Sequence, residues 1–174
     1  MKKSVCLCVL GLAGISGVAS GSIVYSGLDF SFEYAGGGDT SLAENQDRIT
    51  DTVWITRNRI RGIFNIALEP TYDGFGTSGP SPLGTMWAFG TTENYESLTY
   101  TTWAVLADRN PPGLVGQNLV VYLEDEDSYM DLRFTVWGAR SSVGAFSYLR
   151  SNVPAPSTGG ALALGGVILM RRRR

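Results

Sequence analysis

Three groups of residues in this chain could do chemistry. Glu124-Asp125-Glu126-Asp127 is the densest run of charge. Calcium takes about six to eight oxygens, and carboxylates in loops between strands often supply some of them. The run lacks EF-hand spacing, and four adjacent side chains cannot all face one ion, so a solvated hairpin tip is the plainer reading and no cofactor is required. Tyr129, Asp131, Arg133 and Trp137 fall at alternate positions, which an extended strand puts on one face. Aromatic rings with Asp and Arg hydrogen bonding suit a carbohydrate, so these four form a candidate glycan face. Trp54, Trp87 and Trp103 could extend such a platform or simply fill a core. Arg57, Arg59 and Arg61 also alternate, and could grip an anionic glycan or a partner carboxylate, or pair with nearby acids.

The missing residue types exclude more than the present ones assert. Both cysteines and both lysines lie before Val9, and four arginines close the chain. The body between them holds eight arginines against sixteen acids, a net charge of −8, with no Lys, His or Cys. That removes a Ser-His-Asp triad, a His-ligated zinc, a thiol nucleophile, a Schiff base and a Walker-type phosphate loop. Nucleic acid binding rests on clustered cations and is not expected of so acidic a body. A glycosidase needs only two carboxylates at the right separation. Sixteen acids permit that without singling out a pair, so a small glycan hydrolase or lyase stays as the alternative to a structural or binding role.

The elements that must position these groups read as β throughout. Leu28 to Ala35 alternates, with Phe30, Phe32 and Tyr34 on one face. Thr52 to Thr56, Gly62 to Leu68, Thr85 to Phe89, Leu98 to Leu106 and Asn118 to Leu123 are rich in β-branched and aromatic residues. Arg57 to Arg61 is either a hairpin turn or part of one long strand. Thr71 to Gly84, with its glycines and prolines, is the longest loop. Tyr129 to Trp137 puts Met130, Leu132, Phe134 and Val136 on one face, and Gly144 to Arg150 follows as its partner. About eight or nine short strands without a convincing amphipathic helix predict an all-β fold, an antiparallel β-sandwich with a jelly roll as one form of it.

The two ends have a different character. Met1 to Gly21 carries a basic start, an apolar run from Val5 to Val18 and small residues at Ala19, Ser20 and Gly21, the layout of a secretory signal peptide with an apolar helix. Cys6 and Cys8 lie inside that apolar run, too early for a lipoprotein site. At the other end, Val153-Pro154-Ala155-Pro156-Ser157 leads into an apolar stretch, Gly159 to Met170, and then Arg171, Arg172, Arg173 and Arg174. The stretch makes a helix of about 18 Å, short of the ~20 apolar residues of a spanning helix. A permanent anchor, a buried helix and a transient sorting signal are the three readings; four terminal arginines oppose the second and favour the cytoplasmic side of a membrane. The expected division is therefore a signal peptide at 1–21, a β domain at 22–152 and a sorting segment at 153–174.

The order Pro-x-Pro, short apolar helix, arginine cluster resembles the PEP-CTERM sorting signal of bacterial exported proteins, with Ala155 where that family's V-P-E-P motif has glutamate. The resemblance covers Val153 to Arg174. It implies passage through the export machinery, transient inner-membrane contact through the C-terminal helix, and recognition and removal of the tail by an exosortase, a membrane cysteine protease. The body carries a second likeness: W-A-F-G at Trp87 to Gly90, L-T-Y-T-T-W at Leu98 to Trp103, Y-M-D-L-R-F-T-V-W at Tyr129 to Trp137 and G-A-F-S-Y-L-R-S at Gly144 to Ser151. This is similar to an extracellular β-module of exported bacterial proteins. The tail likeness implies a location at the cell surface or in extracellular matrix, and the body likeness implies an extracellular β-domain and nothing more. Exopolysaccharide is a candidate partner there through the candidate glycan face.

Overall fold

The computed structural model describes residues 21–139 and 142–154. The expected signal helix, the expected C-terminal hydrophobic helix and the sorting residues Ala155, Pro156, Ser157 and Arg171 to Arg174 lie outside the described residues. Among the described residues the fold is all-β: nine strands, one five-residue α-helix and three 3-10 segments. No helix among them is long and apolar enough to cross a membrane.

The strands are β1 (Ile23–Tyr25), β2 (Phe30–Tyr34), β3 (Asp47–Arg48), β4 (Trp54–Arg57), β5 (Ile63–Asn65), β6 (Thr85–Phe89), β7 (Leu119–Leu123), β8 (Ser128–Trp137) and β9 (Phe146–Arg150). They form two sheets. The larger runs β2-β9-β8-β7-β6 with antiparallel neighbours, and β1 joins it in parallel alongside β8. The smaller is the antiparallel set β3-β4-β5. β8 is the longest strand and the organising one. β7 lines one edge of it, while β1 takes the first part of the other edge, through Tyr25 opposite Met130, and β9 takes the rest from Leu132 onward.

The alternation in β8 explains why it sits centrally. Met130, Leu132 and Phe134 are buried and meet Val121 and Leu123 of β7, Trp87 of β6 and Phe146 and Tyr148 of β9 in one apolar cluster, which also takes in Ile55 and Ile63 of the small sheet. Each such side chain stabilises the fold by roughly 1.5–3 kcal/mol on burial.

That alternation does not survive to the end of the strand. The register passes from Phe134 opposite Tyr148 to Val136 opposite Ser147, which leaves Thr135 as an extra residue in β8. A β-bulge inserts one residue, and one residue reverses every face beyond it. Val136, expected in the core, is 48 % exposed. Trp137, expected on the outer face with Tyr129, packs against the core instead.

Two further expectations change. Leu98 to Leu106 is not a strand. Thr101 makes a lone bridge to Trp87, and Trp103–Ala107 is the α-helix α1. Its buried residues are Trp103, Ala104 and Ala107, a helical spacing that β-propensity alone conceals. Arg57, Arg59 and Arg61 do not share a face either. Arg57 ends β4, Arg59 turns with φ 50°, and Arg61 precedes β5, so the segment is a hairpin turn.

Candidate functional site

The outward residues of β8 before the bulge are Tyr129, Asp131 and Arg133, so three of the four candidate glycan residues do share a face. Tyr129 sits in a cluster of tyrosines. Its cross-strand neighbour Tyr122 stacks on it at 4.6 Å and 24°. Tyr95 lies at 4.6 Å and Tyr100 at 5.5 Å, both from the segment between β6 and α1. That segment is held down from two sides. The amide and hydroxyl of Thr92 donate to the Asp131 carboxylate at 2.8 and 3.0 Å, and Thr101 exchanges backbone bonds with Trp87.

Asp131 also accepts from the Gly27 amide at 3.0 Å, so its carboxylate is committed to positioning two loops. Arg133 donates to the side-chain oxygen of Asn118 through Nε at 3.0 Å and again through Nη2. The expected ligand contacts of this pair are thus largely occupied by the protein itself, and the tyrosines form the presented surface. Sequence reading missed Tyr95, Tyr100 and Tyr122 as members. The cross-strand pairing of Tyr122 with Tyr129 was the one available signal.

The environment keeps these phenols neutral. Burial and the neighbouring tyrosines push Tyr100 up to about 12. A hydrogen bond to Glu96 raises Tyr95, and burial followed by the nearby acids raises Tyr122 and Tyr129. The hydroxyls of Tyr95 and Tyr122 donate to Glu96 at 3.1 Å and Asp127 at 3.2 Å. A hollow of about 210 Å³, lined by Glu93 to Ser97, adjoins Tyr95. Half-exposed rings beside hydrogen-bonding carboxylates can stack on a sugar ring and bond its hydroxyls.

The acidic run closes the hairpin between β7 and β8, and its side chains diverge. Asp127 accepts from the Ser22 hydroxyl and Tyr122, whereas Glu126 accepts from Thr52 at 2.9 Å. Among the described residues no group of three or more potential ligands converges as calcium would need. The tryptophans do not make a platform: Trp87 and Trp103 are buried, and Trp137 stacks on Trp103 at 5.3 Å.

Two buried carboxylates were not legible as special. Asp47 of β3 pairs with Arg150 of β9 at 2.7 and 2.8 Å and accepts from the Tyr148 hydroxyl at 2.6 Å. Glu69 accepts from the amides of Asn65 at 2.8 Å and Leu83 at 3.0 Å and from the Ser81 hydroxyl, which pins both ends of the long loop. Beside it lies a cavity of about 350 Å³ walled by Leu68, Tyr72, Pro80 and Leu83. Both carboxylates are saturated by donors, an arrangement that holds structure together. Arg57 is buried too, but without an acid: it lies 4.0 Å over the ring of Trp137 and donates to backbone carbonyls.

No family model matches the chain, and no curated protein or solved structure matches it.

Proposed function

We propose that this chain is an exported protein of the cell surface or extracellular matrix with a binding or structural role, sorted through its C-terminal segment by an exosortase-like protease. The observation that carries this reading is the tripartite tail, Val153 to Ser157, apolar stretch, Arg171 to Arg174, paired with the signal-like start at Met1 to Gly21. The placement of the body agrees with it. β1 begins at Ile23, directly after the expected cleavage region, and Val153 packs into the core at the far end. The exported piece is then the β body, and the membrane contact through the C-terminal helix is transient.

The two sheets are taken to face each other as a sandwich, because Ile55 and Ile63 of the small sheet share a core with Leu132 and Phe134 of the large one. A division into six and three strands favours this over an eight-stranded jelly roll. Exopolysaccharide is the proposed partner, met by the tyrosine cluster. The competing reading, a carboxylate-dependent glycan hydrolase or lyase, has to draw on acids other than Asp47 and Glu69, which already satisfy buried donors.

The test is to delete residues 155–174 while keeping Pro154 and Val153, which packs into the core. The truncated protein should no longer reach the location of the wild type. If it arrives at the same place in the same processed form, the sorting reading fails. Turnover of any member of an exopolysaccharide panel by the purified protein would favour the enzyme instead.

A further inference from the structure

Two arginines are buried among the described residues, Arg57 and Arg150. Arg150 has the Asp47 carboxylate. Arg57 has none. Its Nε donates to the Arg61 carbonyl at 2.7 Å, and its Nη1 to the carbonyls of Gly138 and Ala145 at 3.1 and 3.0 Å. Its Nη2 makes no hydrogen bond among the described residues. A charged group withdrawn from water without a counter-ion is costly. Desolvation accordingly lowers this guanidinium to about 10, and no carboxylate offsets the shift.

The reason to keep such a group is visible beside it. Arg57 lines a cavity of about 290 Å³ whose walls are Ile60, Pro112, Trp137, Gly138 and Ala139. Among the described residues no acid lines the cavity, although the body carries sixteen. Among the described lining residues the one charged group is a cation; three backbone carbonyls and the Trp137 ring fix its plane, and the other described walls are apolar. A carboxylate on a carbon skeleton fits that chemistry: the anion takes the guanidinium edge, and C–H faces take the walls. Arg59 and Arg61 are exposed on the same turn but do not line the cavity. A body of net −8 repels a polyanion overall, so an anionic ligand depends on local cations such as Arg57.

We propose that the Arg57 cavity binds a uronate residue of an acidic polysaccharide, its carboxylate on Arg57 and its ring against Ile60, Pro112 and Trp137. The extracellular reading supplies only the expectation of a polysaccharide; the anion preference comes from the cavity itself. The assay is therefore direct binding to the purified full-length chain, read by tryptophan fluorescence and calorimetry, and does not depend on where the protein goes.

The probes are a trigalacturonate, its carboxyl-reduced counterpart and a sulfated dextran. Trigalacturonate should bind, and the reduced oligomer should not. Ile60→Glu sets an acid at the mouth of the cavity. Ile60 is 47 % exposed, so this variant should fold as the wild type does, checked by circular dichroism. It should weaken binding about tenfold or more. Arg57→Lys, which keeps the charge but loses the fork, should weaken it as well. The arginine tail is the same in every variant, so a drop confined to Ile60→Glu and Arg57→Lys reports the cavity. The proposal is overturned if the reduced oligomer binds equally, if Ile60→Glu binds as the wild type does, if sulfated dextran binds as tightly as trigalacturonate, or if no probe binds.

Discussion

Replacing Asp47 by alanine should damage this fold more than any single surface change. The Asp47–Arg150 pair is almost fully dry, with the two side chains 2 % and 4 % exposed. Asp47→Ala removes three hydrogen bonds at once, two from Arg150 and one from Tyr148. It leaves a guanidinium held only by the Ser151 carbonyl at 2.8 Å and the face of Phe30 at 3.9 Å. Breaking a buried pair by removing one partner costs about 3–5 kcal/mol, a large share of the roughly 5–15 kcal/mol that holds a domain together. Because β3 belongs to the small sheet and β9 to the large one, the loss also loosens the tie between sheets. Urea denaturation of wild type, Asp47→Ala and the double variant Asp47→Leu/Arg150→Met measures it. The single variant should lose about 3–5 kcal/mol and the double variant clearly less, since no uncompensated charge remains. A loss under about 1 kcal/mol for Asp47→Ala would refute the argument that this pair is a desolvated tie.

Gly144 has φ 87°, and a Cβ there would lie 1.5 Å from the Arg59 carbonyl oxygen. Gly144→Ala should therefore cost at least about 1–3 kcal/mol, seen as a lower urea midpoint, whereas Gly116→Ala, with open space around its Cβ, should cost less. The tyrosine cluster should titrate late: tyrosinate absorbance should rise above pH 10, with the Tyr100 phenol at about 12. Tyr148 is raised well above 10 by burial and by Asp47. A phenol raised by folding leaves stability flat below the unfolded value and lost as pH climbs past it, so unfolding midpoints should hold to pH 10 and fall beyond it.

The legible part of this fold was local and periodic. Phe32 and Tyr34 in β2, and Met130, Leu132 and Phe134 in β8, show their buried face through simple alternation. The strands β6, β7 and β9 carry enough β-branched and aromatic residues to declare themselves. What failed was whatever depends on one inserted residue or on distant partners. The bulge at Thr135 has no marker such as glycine, yet it moves Trp137 from the candidate glycan face to the core, beneath Arg57. The helix α1 hid because Trp103 and Val105 read as strand formers while the buried spacing of Trp103, Ala104 and Ala107 is short. Asp47 meets a partner 103 residues away, and no spacing rule reaches that far. Arg57 looked equivalent to Arg59 and Arg61, and only the turn at Arg59 separates a buried cation from two exposed ones.

The central claim is that the working protein is the β body, delivered outside the cell and released from its C-terminal segment. Intact mass of the protein recovered from the cell surface or medium tests this most directly. The account predicts a species lacking residues 1–20 or 1–21 and lacking the arginine cluster Arg171 to Arg174, with the cut at or after Val153. A surface species whose mass still includes Arg174, or a protein found only inside the cell, would contradict it.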